Sequence, residues 1–298
     1  MTIHAGGAPL PTVTGKTQVL GIIGHPIAHS LSPPMQNAAL QQLGWDGIYV
    51  PFAVQPGQVE TALQGLWALG VLGFNVTIPH KQAVMPALVE VTPLAQAVGA
   101  VNTVWRQETG WAGTNTDVLG FMAPLQAGDT PWAQQRAVIL GNGGAARAAV
   151  AGCCELGCGE IWVVGRDATK LQTFADSWQT SPLQPPLKTA LWAQLPELLP
   201  EAGLLVNTTP LGMHPHTDKS PVEAEALALL PDQAIAYDLI YTPSPTLFLQ
   251  LAAARGLHTF DGVEMLVQQG AAGLEIWVQQ SPPIATMRQA LKAHLGLA

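Results

Sequence analysis

Short apolar runs that end at glycine or proline, separated by helical stretches, limit what this chain can fold into more than any other feature. The first run, QVLGIIG over 18–24, is too short for a buried helix and reads as a buried strand. The loop HPIAHSLSPP (25–34) leads into a helix. Ser32 before Pro33 reads as an N-cap with a proline in the first turn, and Gly44 closes the helix after about residue 43. GIYVPFA (47–53) reads as a strand, 56–69 as a helix, and GFNVTI (73–78) as a strand broken by Pro79. A helix over 82–89 and a strand over 99–105 follow. Strands alternating with helices predict a mostly parallel sheet.

Near Thr116 the pattern restarts. A helix near 117–126 leads to the strand RAVIL (136–140), and GNGGAA (141–146) turns into a helix over 145–156. Further strands are expected at 161–164, 204–207 and 234–238. The stretch 178–188 holds three prolines and reads as a loop. From about residue 263 two helices are expected, split by Pro282 and Pro283, while 1–17, rich in Gly, Pro and Thr, reads as a loose arm.

With 298 residues there is room for two ordinary domains, and 48% hydrophobic residues can fill a core in each. The net charge of −8 argues against nucleic acid, which needs a basic face. The N-terminus lacks a basic region followed by an apolar core, and no run of about 18 apolar residues occurs. Neither a signal peptide nor a membrane span is therefore expected. Cys153, Cys154 and Cys158 form no CxxC pair and read as apolar filler on a helix, with no metal expected. The expectation is a reduced, cytoplasmic protein. Charged residues are only 11%, against roughly 25% in an average soluble protein, so each of the six lysines needs a reason.

GNGGAA between a strand and a helix fits the dinucleotide pattern G-x-G-x-x-(G/A), with Gly141, Gly143 and Ala146 at its three places. Such a loop brings a pyrophosphate against bare backbone at a helix N-terminus; Asn142, Gly144 and Ala145 complete it. An NAD site commonly carries an acid at the end of the next strand. Here that place reads Gly165-Arg166-Asp167, with Lys170 close behind. Arg166 and Lys170 suit the 2′-phosphate of NADP. Asp167 is a counter-signal, unless it pairs with Arg166 or caps the following helix.

Lys81 follows the strand end Phe74-Asn75-Val76-Thr77-Ile78-Pro79-His80. A lysine held out of water can pass a proton near neutral pH, and an aspartate beside it would hold its ammonium. Asp117, in Asn115-Thr116-Asp117, sits where the first half ends. By itself such an aspartate is more often a helix N-cap than a catalyst.

Taken in order, the motifs resemble those of the shikimate dehydrogenase family from about Gln18 to Gln280. They are His29-Ser30-Leu31-Ser32-Pro33, Asn75-x-Thr77-x-Pro79-x-Lys81, Gly99-x-x-Asn102-Thr103, Asn115-x-Asp117, the Gly141 loop, Asn207-x-Thr209-x-x-Gly212-Met213, Asp238-x-x-Tyr241-x-Pro243, and Gly262-x-x-Met265 followed by Gln269. The resemblance implies NADP-dependent reduction of 3-dehydroshikimate to shikimate, on the route to aromatic amino acids. It implies Lys81 and Asp117 as the catalytic pair. Ser30, Ser32 and Tyr241 would then hold the substrate carboxylate, and Thr77, Asn102 and Gln269 the ring hydroxyls. Leu239 and Gly262 would line the nicotinamide beside the Gly141 loop. Gln268 is a rival to Gln269.

The family fold is α/β in two domains: a mostly parallel substrate domain (1–116) and a Rossmann-type domain (117–262), with 263–298 returning to the first. A monomer or homodimer acting on a small molecule is expected. The departure from the family's Asn-Arg-Thr at 165–167 bears on the strength of the NADP preference. The nearest alternative activity is that of a quinate or quinate/shikimate dehydrogenase. Two serines in the 29–33 loop and no acid at the second strand end favour shikimate with NADP. A non-catalytic NADP sensor would be expected to lack Lys81 or Asp117.

Overall fold

The computed structural model describes residues 13–297, so most of the arm expected over 1–17 lies outside the described residues. In the first half run β1 (Gln18–Gly24), α1 (Ser32–Gln42), β2 (Gly47–Ala53), α2 (Val59–Ala68), β3 (Gly73–Val76), β4 (Glu90–Val91), α3 (Pro93–Val98), β5 (Thr103–Arg106) and β6 (Trp111–Thr114). They form a six-stranded sheet in the order β2-β1-β3-β5-β6-β4. β1 pairs in parallel with β2 and β3, and β4 pairs in parallel with β6. β5 runs antiparallel to both its neighbours, so the sheet is mixed. Leu20 and Ile23 of β1 are fully buried, and each contributes about 1.5–3 kcal/mol relative to exposure.

The second half runs α4 (Asp117–Leu125), β7 (Arg136–Leu140), α5 (Gly144–Glu155), β8 (Glu160–Gly165), α6 (Ala168–Asp176), β9 (Leu187–Leu191), α7 (Leu195–Leu198), β10 (Ala202–Asn207), α8 (Ala224–Leu227), β11 (Ile235–Asp238), α9 (Leu247–Ala254) and β12 (His258–Phe260). Its six strands are all parallel, in the order β12-β11-β10-β7-β8-β9. The order reverses at β7, so a crevice opens beyond the carboxyl ends of β7 and β10, the usual seat of a dinucleotide.

The chain then returns to the first sheet. α10 (Gly262–Val278) and α11 (Ile284–Leu295) share one apolar cluster with Leu20, Met35, Leu40 and Tyr49. The Trp277 indole donates to the Val104 carbonyl at 2.9 Å, and Gln36 Nε2 donates to the Gly270 carbonyl at 2.9 Å. No described helix is long and apolar enough to cross a membrane. Among the described residues no group of three or more His, Cys, Asp or Glu side chains could hold a metal.

Four local expectations differ from the structure. Leu31, not Ser32, occupies the N-cap of α1, and no side chain caps that helix; Ser32 is its first helical residue. Over 82–89 there is only a short 3₁₀ turn, Met85–Ala87, because Pro86 has no N–H with which to continue a helix. The strand expected over 99–105 begins at Thr103; Gly99, at φ 69°, instead ends α3 in the left-handed conformation. β9 emerges from the proline-rich stretch and runs to Leu191.

Candidate active site

Lys81 sits in a tight turn beyond β3. The Thr77 N–H donates to the Ile23 carbonyl at 2.9 Å, and the His80 N–H donates to the Thr77 carbonyl at 2.9 Å. The buried His80 ring places Nε2 2.7 Å from the Val54 carbonyl, just past β2. The Lys81 carbonyl accepts from the Val101 N–H at 2.8 Å. With its backbone held on two sides, Lys81 extends Nζ to within 2.5 Å of Asp117 Oδ2. Their side chains are 24% and 12% exposed, sheltered from bulk water yet open to a ligand. Asp117 begins α4, where the helix dipole favours its charge, and its N–H donates to Asn115 Oδ1 at 3.0 Å.

Asn102 joins this pair to the rest of the site. Its Nδ2 donates to Asp117 Oδ1 at 2.8 Å and reaches Gln269 Oε1 at 3.3 Å. Its Oδ1 accepts from the Thr116 N–H at 2.7 Å and the Thr103 hydroxyl at 3.0 Å. The two rival glutamines have different partners. Gln268 donates to Glu264, itself paired with Arg288, whereas Gln269 faces Asn102. Thr77 lies against Gly24, where a Cβ would come within 2.4 Å of its methyl carbon. Ser30 and Ser32 are adjacent, with the Ser32 N–H 3.3 Å from Ser30 Oγ. Tyr241 packs against the apolar cluster of α1 and α10. Thus Lys81, Asp117, Asn102 and Gln269 form one hydrogen-bonded group. Among the described residues, no hydrogen bond joins Ser30, Ser32, Thr77 or Tyr241 to that group.

Beneath the group runs a polar layer that motif reasoning did not assign. The Tyr49 hydroxyl donates to Asn75 Oδ1 at 2.7 Å, and Asn75 Nδ2 donates to the Thr103 hydroxyl at 3.1 Å. Thr103 and Thr116 then reach Asn102. Ser32 adjoins the Tyr49 hydroxyl, and burial pushes the Tyr49 phenol well above its ordinary range. The signal available in the sequence was polar residues inside otherwise apolar strands: Asn75 in GFNVTI and Thr103 in NTVW.

The other wall of the cleft is the glycine loop. Gly141 has φ 102°, a conformation natural to glycine, and a Cβ there would meet Thr208 Oγ1 at 2.8 Å. At Gly143 and Gly144 a Cβ would meet nothing within 4 Å, so the backbone faces open space. α5 starts there with no side-chain cap, leaving its first N–H groups free for an anion. Asn142, Gly143, Gly144, Lys170 and Lys81 line one cleft of about 640 Å³. Asp167 caps α6: its Oδ1 accepts from the Thr169 and Lys170 N–H groups at 2.9 and 3.1 Å. Arg166 and Lys170 are exposed and form no ion pair among the described residues. At the far end, the Gly262 N–H donates to the Ile240 carbonyl at 3.0 Å, and a Cβ on Gly262 would strike the Leu239 carbonyl at 2.3 Å. Asp238 supports that end from below. Burial raises its carboxyl to about 6 against the hydrogen bonds from Thr246, Ile240 and Asn207.

Arg147, on the first turn of α5, also lines the cleft and was missed. A single arginine in a helix carries no motif, although the argument from scarce charge applied to it as much as to the lysines.

Comparison with known proteins accords with this geometry. The model of the shikimate dehydrogenase substrate binding domain matches residues 22–104, and that of the shikimate 5′-dehydrogenase C-terminal domain matches 262–292. A shikimate dehydrogenase (NADP(+)) of Gloeothece citriformis is 57% identical over 97% of this chain and all of its own length. The structure of the Thermus thermophilus shikimate 5-dehydrogenase with NADP(H) and shikimate superposes with a TM-score of 0.81 at 35% identity, covering 93% of this chain and 99% of that one. Quinate dehydrogenase from Corynebacterium glutamicum in complex with NAD gives 0.84 at 29% identity, covering 93% and 99%. The backbone is therefore common to both activities, while sequence identity over nearly the full length places this chain on one side: it belongs to the shikimate dehydrogenase family.

Proposed function

We propose that the Lys81–Asp117 pair performs the proton transfer of an NADP-dependent shikimate dehydrogenase, which interconverts 3-dehydroshikimate and shikimate in the pathway to aromatic amino acids. The observation that carries this reading is that Lys81, with Nζ 2.5 Å from Asp117 Oδ2, lines the same cleft as the open glycine loop. NADP supplies the hydride acceptor or donor. In the reductive direction the Lys81 ammonium gives a proton to the substrate's carbonyl oxygen; in the oxidative direction Lys81 takes it back. Asp117 holds Nζ in place and balances its charge. Asn102, through one amide, fixes both the Asp117 carboxylate and Gln269 toward the ring hydroxyls. Thr77 supplies a further hydroxyl, and Ser30, Ser32 and Tyr241 form the carboxylate seat.

On this reading 1–116 with 263–298 form the substrate domain and 117–262 the NADP domain. Residues 141–145 cradle the pyrophosphate, Arg166 and Lys170 take the 2′-phosphate, and Leu239 and Gly262 bound the nicotinamide. The capping role of Asp167 supports NADP, because one of its carboxylate oxygens is engaged by its own helix rather than offered to a ribose. The reading includes a cytoplasmic monomer or homodimer, which gel filtration addresses. Rates with shikimate and quinate, each with NADP and with NAD, test the activity. Shikimate with NADP should be fastest, and faster turnover of quinate overturns the substrate assignment.

A further inference from the structure

At one of the places where the two halves of the cleft meet, a buried cation touches a helix C-terminus. Arg147 lies one turn beyond Gly143 and Gly144 and is 8% exposed. It forms no ion pair with a carboxylate among the described residues. Its Nε donates to the Val98 carbonyl at the end of α3, and its Nη1 donates to Ser177 Oγ at 2.8 Å. The guanidinium lies 5.1 Å from the Trp178 ring centroid and 5.6 Å from that of Phe174. Helix-terminal carbonyls and aromatic faces are the weak acceptors that can hold a cation in the absence of a carboxylate. A second bond from the same half grips the same terminus: Ser181 Oγ donates to the Ala97 carbonyl at 3.1 Å. A Cβ on Gly99, which holds φ 69°, would come within 2.7 Å of Arg147 Nη2 and would displace the guanidinium.

From Val98 the connection to the reacting groups is short. Three residues on, the Val101 N–H donates to the Lys81 carbonyl, and the next residue, Asn102, holds Asp117. We infer that Arg147, with Ser181, is a positioning clasp that fixes the 98–102 segment, and through it Lys81 and Asn102, relative to the glycine loop. The hydride leaves or arrives on the loop side and the proton moves on the Lys81 side, so their separation must be held to a fraction of an ångström. The clasp is a point at which the loop's own helix touches the segment that holds the Lys81 backbone and the Asp117 carboxylate. The catalytic part of this inference rests on the proposed function; the mechanical part does not.

Arg147→Met keeps an apolar stem beside Phe174 and Trp178 and removes both hydrogen bonds. It should lower kcat for shikimate oxidation by about ten- to a hundredfold, because a small misplacement of reacting groups is costly. The Kd for NADP should change less than about threefold. Arg147→Lys, which can still reach one acceptor, should recover part of the loss. In the same protein the amides of 99–103 should exchange hydrogen about tenfold faster while those of β10 and β11 stay as they were. A uniform rise in exchange across the chain, or an unchanged kcat in a folded variant, overturns the clasp. If the methionine variant fails to fold, Ser181→Ala gives the same readouts with a smaller effect, and an unchanged exchange at 99–103 overturns the inference. Wild-type turnover is measured first. Its absence counts against the proposed function alone, because the exchange comparison still reads the clasp.

Discussion

Around Asn102 every polar atom of the residue has a partner within the protein, whereas at Gly143 and Gly144 the backbone faces empty space. On the substrate wall the group around Asn102 is preorganised, its amides and hydroxyls held by a buried hydrogen-bonded layer. The cofactor wall is a glycine cradle at an uncapped helix N-terminus, shaped to admit an anion. Groups that must meet a small polyhydroxy acid gain from preorganisation, because each fixed donor loses little entropy on binding. A loop that receives a pyrophosphate needs clearance instead, and glycine supplies it. The two walls should therefore respond differently to substitution. Loss within the Lys81–Asp117–Asn102 group should fall on turnover, and loss among the groups that face the cofactor's phosphates on binding.

The sharpest break is expected at the proton-transfer pair. Lys81→Ala, Asp117→Ala and the double variant should each lose turnover by a similar factor, on the order of 10²–10⁴, because the pair acts as a unit. Substrate affinity, measured by calorimetry, should fall less than turnover does. Full turnover in Lys81→Ala with only weaker binding would make Lys81 a positioning residue.

On the opposite wall, Arg166→Ala should remove one charge-assisted contact to the 2′-phosphate, about 1.5–3 kcal/mol. Its Michaelis constant for NADP should rise about ten- to a hundredfold while that for NAD stays nearly unchanged. Equal losses with both cofactors would mean that the residue supports the loop rather than reads the phosphate.

The contrast between the walls also explains what could be read from sequence. The cofactor wall was legible because its function lies in a local pattern: strand, glycine loop, helix, all within a dozen residues. Lys81 stood out by the scarcity of lysine in an apolar setting. The different surroundings of Gln268 and Gln269 appear only once α10 is folded, where Glu264 bonds one and Asn102 the other. The polar floor was hidden because Tyr49 of β2, Asn75 of β3, Thr103 of β5 and Thr116 before α4 meet only once the sheet is assembled, including the antiparallel β5 that a simple alternation does not foresee. α3 was readable in principle. Thr92 caps it with a side-chain bond to the Ala95 N–H, Pro93 starts it and Gly99 ends it, a complete set of boundary signals in a short stretch.

A third test separates support from chemistry. Asp238 is fully buried, and its carboxyl is raised to about 6 from an ordinary value of 3.8. Between those values the folded state holds a proton that the unfolded state has released, so stability falls as pH rises from about 4 to 6. Above that range the folded state carries the whole cost of the buried charge, on the order of 1–3 kcal/mol. Asp238→Asn should flatten this dependence in urea unfolding at pH 4.5 and 7.5, each set to about 0.1 unit. A wild-type stability that rises across the window contradicts the assignment.

The smallest effect is expected where the structure departs from the sequence reading. As an N-cap, Ser32 would contribute about 1 kcal/mol of stability through a side-chain bond to the helix. The folded chain makes no such bond: Leu31 holds the cap position and Ser32 is already helical. Its hydroxyl instead adjoins that of Tyr49, which keeps its own acceptor in Asn75 at 2.7 Å when the serine is truncated. Ser32→Ala should therefore change unfolding free energy by less than about 0.5 kcal/mol. If the hydroxyl belongs to the carboxylate seat, the same substitution should weaken shikimate binding by about 0.5–1.5 kcal/mol, a two- to tenfold rise in Kd, and leave NADP binding alone. Ser30→Ala should behave alike in binding. A variant that loses stability but binds shikimate normally would return Ser32 to a purely structural role and move the carboxylate seat toward Tyr241.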